Sequence, residues 1–481
     1  MRTRPTLVLG LSASLFLPAC GGGGGDASGL ILSKSIFASS GQPTPATMVL
    51  MRPPAAGSEG QKAEWSEEVI AAEAQNVEFQ LGAHEGEVVF RRVDSEEGPV
   101  GPVVDLQARG DQWSMVDRTD VEPDAVEWET TKSGKPKTKD YEIAGGNVFH
   151  KAMWWQPAFG EPGILTISAN MPYLQVWRGE LGGWEAETLW TAEVGGKEQR
   201  FRDVEVGDVD SDGMDELVVV THDLGAIFVL EQTAEGVEAT EIHKLDERTF
   251  VHEVEICDVD GDGKLEFFTT PSEPNKLGAG EHDQGGGIDM FRYDEAQGAY
   301  VRTSIAHYDH EHAKEILGYD YDDDGRAEIY AALESDGLRI QVYRWDAAAG
   351  GMVAEEDIEI DGPMCRFLNG GDTNGDGVRE IVAATNEGGI FALSRDGGDD
   401  WVPDRIVPPF ASGGFEHATL LFDWDGDGAD ELFVADDNGQ KVQRVYFDRS
   451  EGSGRYRRET LISLKGQNYI TWNVMELPPG K

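Results

Sequence analysis

Five short stretches of this chain carry oxygen-bearing side chains at alternate positions, and that spacing suits a hard cation. They read DVDSDGMDE (208–216), DVDGDGKLE (258–266), DYDDDGRAE (320–328), DTNGDGVRE (372–380) and DWDGDGADE (423–431). Each has a carboxylate or amide at its first, third and fifth residues, glycine at the sixth and glutamate at the ninth. Ca²⁺ takes six to eight oxygens, and a loop that turns sharply at glycine can fold alternate side chains and a backbone carbonyl around it. The candidate ligands are Asp208, Asp210, Asp212 and Glu216; Asp258, Asp260, Asp262 and Glu266; Asp320, Asp322, Asp324 and Glu328; Asp372, Asn374, Asp376 and Glu380; and Asp423, Asp425, Asp427 and Glu431. The expected complement is about five Ca²⁺ ions, one per loop.

The flanks decide what positions these loops. An EF-hand needs a bidentate glutamate at its twelfth residue and a helix on each side. Here the twelfth residues are Val219, Thr269, Ala331, Ala383 and Val434, none of them a carboxylate. LVVV, FFTT, IYAA, IVAA and LFVA follow the glutamates, short and β-rich, and alternating segments such as VEVG and EILG precede the loops. The unit is strand, acidic loop, strand. It resembles the FG-GAP/VCBS repeat family, which includes the integrin α-chain propeller and many bacterial secreted proteins. That resemblance implies a β-propeller of four-stranded antiparallel blades, with the cation loop between the first two strands of a blade, and a role in binding or adhesion.

Loop starts are spaced by 50, 62, 52 and 51 residues, a repeat period that lets one propeller absorb most of the 481 residues. Extending the register finds copies without ligands at 147–177 and 76–90, and a lone first strand at 468–480. A lone first strand at the end predicts ring closure by N-terminal strands, with 34–70 supplying the remainder of that blade. First strands near 77, 149, 203, 253, 315, 367, 418 and 470 favour eight blades. Seven is the alternative, because the 71-residue step between the first two is irregular. The aromatics Phe149, Trp154, Trp155, Phe415 and Trp424 recur near first strands, where packing between blades accounts for most; Trp424, inside a loop, is expected to be exposed.

The start of the chain reads as a targeting segment. Arg2 and Arg4, the apolar run Leu7–Leu17 and Leu17-Pro18-Ala19-Cys20 resemble a bacterial lipoprotein signal, with Cys20 becoming the lipidated terminus. The domain plan is therefore a signal peptide over 1–20, a glycine-rich tether over 21–33 and the propeller over 34–481. Gly21 after Cys20 favours the outer membrane of a Gram-negative-type cell, facing the periplasm or the surface. Lys plus Arg number 40 against 90 Asp plus Glu, a net charge of −50. That field repels nucleic acid and anionic membrane, so the expected membrane contact is the lipid anchor alone, and the chain is expected to be a monomer. Cys257 and Cys365 are expected as buried free thiols.

Six residues before each loop stand Arg202, His252, Lys314, Arg366 and His417, and His150 holds that place in the ligand-free copy. At one register position these would ring the mouth of the central channel, on the face away from the acidic loops. They either bind an anionic ligand or pair with neighbours such as Asp203, Glu253 and Glu315. His282, in the long stretch 271–287, and His307, His310 and His312 in HYDHEH share the predicted face and are further ligand or metal candidates. The expected function is a calcium-stabilised binding module for protein or polysaccharide. The alternative is a polysaccharide-active enzyme similar to the rhamnogalacturonan-lyase propellers, with His252, Lys314 or His417 at its centre; no catalytic motif marks the chain.

Overall fold

Second strands of the repeats read as unbroken apolar runs because both their faces are covered. ELVVVT (Glu216–Thr221) is buried at every position, as is GILTIS (Gly163–Ser168), whereas outer strands such as Gly236–Lys244 are exposed or half-buried throughout. Sheets buried on both faces must stack against one another, and here they stack in a ring. The computed structural model describes residues 28–36, 47–54, 65–71, 75–94, 98–109, 112–118, 121–143, 148–169, 172–179, 183–192, 194, 200–245, 249–273, 285–334, 337–395, 400–409, 416–437, 439–450, 454–463 and 469–479. Cys20, His282 and the side chain of His417 lie outside them.

Seven four-stranded antiparallel sheets form the ring. Blades one to six occupy 149–191, 201–244, 250–308, 313–360, 364–407 and 416–463, each with its strands in sequence order. Blade seven takes its innermost strand, Tyr469–Leu477, from the C-terminus and the other three, Gly29–Ile36, Thr47–Arg52 and Ser66–Ala71, from the N-terminus. The join is long: Gly29 to Ile36 pair with Leu477 to Tyr469, broken by one bulge. The innermost strands of adjacent blades touch in cyclic order, and that of blade seven touches both blade six and blade one. A separate apolar cluster fills each of the seven seams, from Trp155, Leu165 and Leu217 between blades one and two to Ile31, Phe149 and Trp177 between blades seven and one. The predicted closure by N-terminal strands is observed.

An eighth sheet is present, but it does not join the ring. Residues 75–143 form six strands, and the expected first strand near residue 77 belongs to Gln75–His84, which pairs with Glu87–Asp94 and Thr138–Ile143. Eight repeat units thus correspond to eight sheets, of which seven are blades, the alternative count. The physical reason is its own closed core: Val77, Phe79, Phe90, Val104 and Tyr141 pack together and against Tyr173 at the edge of blade one. Gly29–Ser33, read as tether, lie in the first strand of the chain, because Leu30, Ile31 and Leu32 are buried in the seams of blade seven. Trp424, expected to be exposed, is half-buried against Trp65 and Phe433, and its indole N–H donates to the Ser28 carbonyl at 2.8 Å. It seals the seam where the two ends of the chain meet.

Candidate functional site

The acidic loops share one local construction. The first aspartate of each accepts the N–H of the sixth-position glycine, at 3.1, 2.8, 2.9, 2.8 and 3.1 Å from first loop to fifth. Those glycines, Gly213, Gly263, Gly325, Gly377 and Gly428, have φ between 85° and 93°, a region that a side chain strains. The ninth-position glutamate turns back to accept the N–H of the second residue, at distances from 2.8 to 3.3 Å across the five loops. Each loop is therefore tied at both ends, with its carboxylates gathered inside.

Ligand-capable oxygens converge to within 4.8 Å in Asp208/Asp210/Glu216, Asp258/Asp260/Asp262, Asp320/Asp322/Asp324 and Asp372/Asp376/Glu380. Oxygens alone suit a hard cation. Glu216 is fully buried, and among the described residues its Oε1, like Oδ1 of Asp208, receives no N–H or hydroxyl donor. Buried carboxylate oxygens without donors are costly, and a cation between them removes that cost. Burial, chiefly, pushes Glu216 up to about 8 and Glu266, Glu380 and Glu431 up to about 7, with neighbouring loop aspartates adding to the rise. The residues fit a divalent cation.

At the other end of the innermost strands, the basic positions fall on β-bulges. The pairing of first with second strand shifts around His150, Arg202, Lys314 and Arg366, and across the two-residue steps holding His252 and His417. A bulge leaves its extra residue unpaired and re-aims its side chain. The same position in blade seven is Trp472, whose ring lies 5.4 Å from that of His150. Contacts then run around the ring: Arg202 donates to His252 at 3.3 Å, meets His150 at 3.0 Å and pairs with Glu253 at 3.6 Å. Lys314 Nζ lies 3.7 Å from both Glu334 and the sulfur of Met364.

These side chains are turned inward rather than displayed. His150, His252 and Lys314 are buried, and Arg202 and Arg366 are half-buried. Burial, together with the charges of Arg202 and Arg200, holds His150 well below the ordinary imidazole range, so it is neutral at pH 7. Burial also lowers Arg366 to about 10. His312 is buried with its ring 6.4 Å from that of His252, whereas His307 is exposed beside Asp309 at 3.5 Å and His310 is exposed. Among the described residues, the loop histidines His307, His310 and His312 therefore do not converge on one point.

A feature the sequence reading missed occupies the channel behind this mouth. Lys151 of blade one bonds to Asp203 at 3.1 Å and to Glu205, both of blade two. Asp203 in turn accepts the Val254 N–H of blade three at 3.0 Å, and Glu315 of blade four accepts the Leu368 N–H of blade five at 3.1 Å. Asn473 of blade seven repeats the latch, accepting the Ala152 N–H of blade one at 3.2 Å. The repeating signal was visible: Asp203, Glu253 and Glu315 share one register position and Glu205 and Glu255 another.

Four glutamates, Glu205, Glu253, Glu255 and Glu315, are gathered near Lys151 and Arg202, and their ionisation is resisted. Burial first, then mutual repulsion, raises Glu205, Glu253 and Glu255, and burial raises Glu315 to about 8. An acid whose folded value exceeds its unfolded one favours the fold while protonated, so its contribution falls as pH rises from the ordinary carboxyl range through the folded value. With Ca²⁺ saturating, the melting temperature is expected to fall between pH 5 and pH 8, and Glu255→Gln to flatten that fall. Differential scanning calorimetry across this window checks it; an unaltered slope in the variant would rule out the channel network as its source.

Residues 208–269 match the model of the FG-GAP-like repeat, a segment from the first acidic loop into the second strand of blade three. No curated protein sequence matches the chain. Among solved structures, an Agrocybe aegerita lectin, described as recognising non-reducing terminal N-acetylglucosamine, is 15% identical with a TM-score of 0.44 over 84% of this chain and 96% of its own. The Dos1 propeller is 8% identical with a TM-score of 0.43, covering 82% and 88%. A putative 6-phosphogluconolactonase from Bacteroides fragilis is 13% identical with a TM-score of 0.37, covering 69% and 96%. Residues 208–269 are thus similar to an FG-GAP-like repeat, and the ring of four-stranded sheets that carries them is a β-propeller.

Proposed function

We propose that this protein is a calcium-stabilised binding module, held at the outer membrane through a lipidated Cys20, that takes a protein or polysaccharide ligand on the face opposite its acidic loops. The observation that carries the reading is a cleft of about 490 Å³ on that face. It is lined by the start of the third strand of blade three (Gly285–Gly287), by His307 and Tyr308 at the end of its fourth strand with Asp309 beyond, and by Arg302. Connections on a rigid scaffold are where binding residues gather. Arg302 is held at 2.8 Å by the buried Asp289, so its guanidinium is fixed at the cleft rather than swinging freely. A fixed guanidinium beside an exposed imidazole suits a hydroxyl- and carboxylate-bearing ligand.

A panel of acidic and neutral polysaccharides, read for retention and for the absorbance of unsaturated products, tests the assignment. Retention that falls at least tenfold in Arg302→Ala and His307→Ala, with no product, supports the module. Product formation would replace it with the lyase alternative, and a panel that binds nothing would remove polysaccharide as the ligand class. Labelling of the chain by radioactive palmitate in its host, lost in Cys20→Ser, checks the anchor.

A further inference from the structure

The five loops are alike in sequence, yet the third strand of each blade treats them differently. In blade three, Arg292 donates from Nε to Glu266 at 2.8 Å and from Nη2 to Asp260 at 2.7 Å. In blade four, Arg344 does the same, with Nη2 at 2.7 Å from Glu328 and 3.2 Å from Asp322. A guanidinium thus bridges the third- and ninth-position carboxylates of the second and third loops. The other oxygens of those glutamates are also engaged, Glu266 by the Val259 N–H and Glu328 by the Tyr321 N–H. A cation entering either loop must displace an arginine or do without two of its ligands.

The first loop is built in the opposite sense. The residue facing Glu216 across the sheet is Glu231, by continuation of the pairing of Leu217 with Leu230. Glu231 joins Asp210 and Asp212 in a second group of oxygens within 4.8 Å, sharing Asp210 with the group of Asp208 and Glu216. Five carboxylates meet there, and among the described residues no lysine or arginine pairs with any of them. Among the described residues Glu216 Oε1 is buried without an N–H or hydroxyl donor, at the place where Glu266 and Glu328 receive their guanidinium, and Glu231 lies against it instead. The Tyr300 hydroxyl, also buried without a partner, lies beside the same cluster. In the fourth loop the neutral Asn374 caps Glu380 at 3.0 Å, and in the fifth Arg444 lies 3.8 Å from Asp425, further out.

We propose that the loops form two classes: the first is the tight divalent-cation site, completed by Glu231 as an extra carboxylate, and the second and third carry their own counter-ion in Arg292 and Arg344. The inference rests on the calcium reading and sharpens it. Charge and donor count decide the order, since Ca²⁺ affinity rises with the number of carboxylates free to ligate. A bound guanidinium already neutralises part of the second and third loops.

Calorimetric titration of the full chain, stripped with EDTA and dialysed, with Ca²⁺ alone tests this. A tight step of fewer than five ions per chain is expected, and Glu231→Gln should weaken that step at least tenfold while circular dichroism stays unchanged. Arg292→Gln and Arg344→Gln should each add an ion to the tight class. Five equivalent steps, or a tight step indifferent to Glu231→Gln, would overturn the division while leaving calcium binding intact. No heat and no binding of Tb³⁺, read by luminescence, would remove both. Should the arginine variants fail to fold, the Glu231→Gln titration still decides.

Discussion

Stripping divalent cations from the intact chain with excess EDTA is expected to lower its melting temperature by about 10 °C or more, and restoring Ca²⁺ to reverse the change. Each acidic loop joins the first and second strands of a blade, and its ninth-position glutamate is buried at the root of the second strand. Without a cation, that glutamate sits beside two or three aspartates where burial already resists its ionisation. A ligand bound only by the folded state, at about a thousand times its dissociation constant, adds roughly 4 kcal/mol per site. Two or three such sites are enough, at roughly 2–4 °C per kcal/mol for a chain of a few hundred residues. The loss should be larger at pH 8 than at pH 5, because protonated glutamates repel their neighbours less. A melting curve indifferent to chelator would overturn the assignment of the loops as structural calcium sites.

Lys151→Met is expected to destabilise the propeller by about 3–5 kcal/mol, the usual consequence of removing one partner from a buried ion pair. Lys151 is only 12% exposed and lies against Asp203, itself 8% exposed, and Glu205. The two carboxylates would keep their burial and lose their counter-charge. Asp203 also latches blade two to blade three through the Val254 N–H, so the strain would reach two seams. The neighbouring acids hold Lys151 well above the ordinary lysine range despite its burial, so it keeps its charge at neutral pH. The double variant Lys151→Met/Glu205→Gln should recover part of the loss, since the repulsion between the two carboxylates left behind is then removed. Urea unfolding of the two variants measures both effects; a single variant within 1 kcal/mol of the parent chain would refute the latch.

The loop construction was legible because it is local. Oxygen ligands at alternate residues, a glycine forced to positive φ and a glutamate reaching back to the second N–H all lie within nine residues, so spacing alone exposes them. The strand register followed, since a period-two pattern beside each loop states which face is buried. Innermost strands near 149, 203, 253, 315, 367, 418 and 470 lie where the register placed them. The lone strand at the C-terminus implied a ring closed by residues from the N-terminus.

Other features were decided by pairing, which a linear pattern does not carry. Segment 76–90 looks like a blade strand because alternation is the same in any half-buried sheet; its partners at Glu87–Asp94 and Thr138–Ile143 put it in a sheet of its own. The basic residues before the loops were found at one register position. Whether they face solvent or fold into the ring depended on bulges and on acids contributed by neighbouring blades.

Local residue order is enough to specify β-repeats, each turning at an acidic loop suited to a hard cation. Tertiary structure decided which loops keep their charge. Arg292, Arg344 and Glu231 stand 26, 16 and 15 residues beyond the glutamates they face, across a sheet. Only hydrogen-bond register brings them there, and a one-residue slip would turn each to the other face.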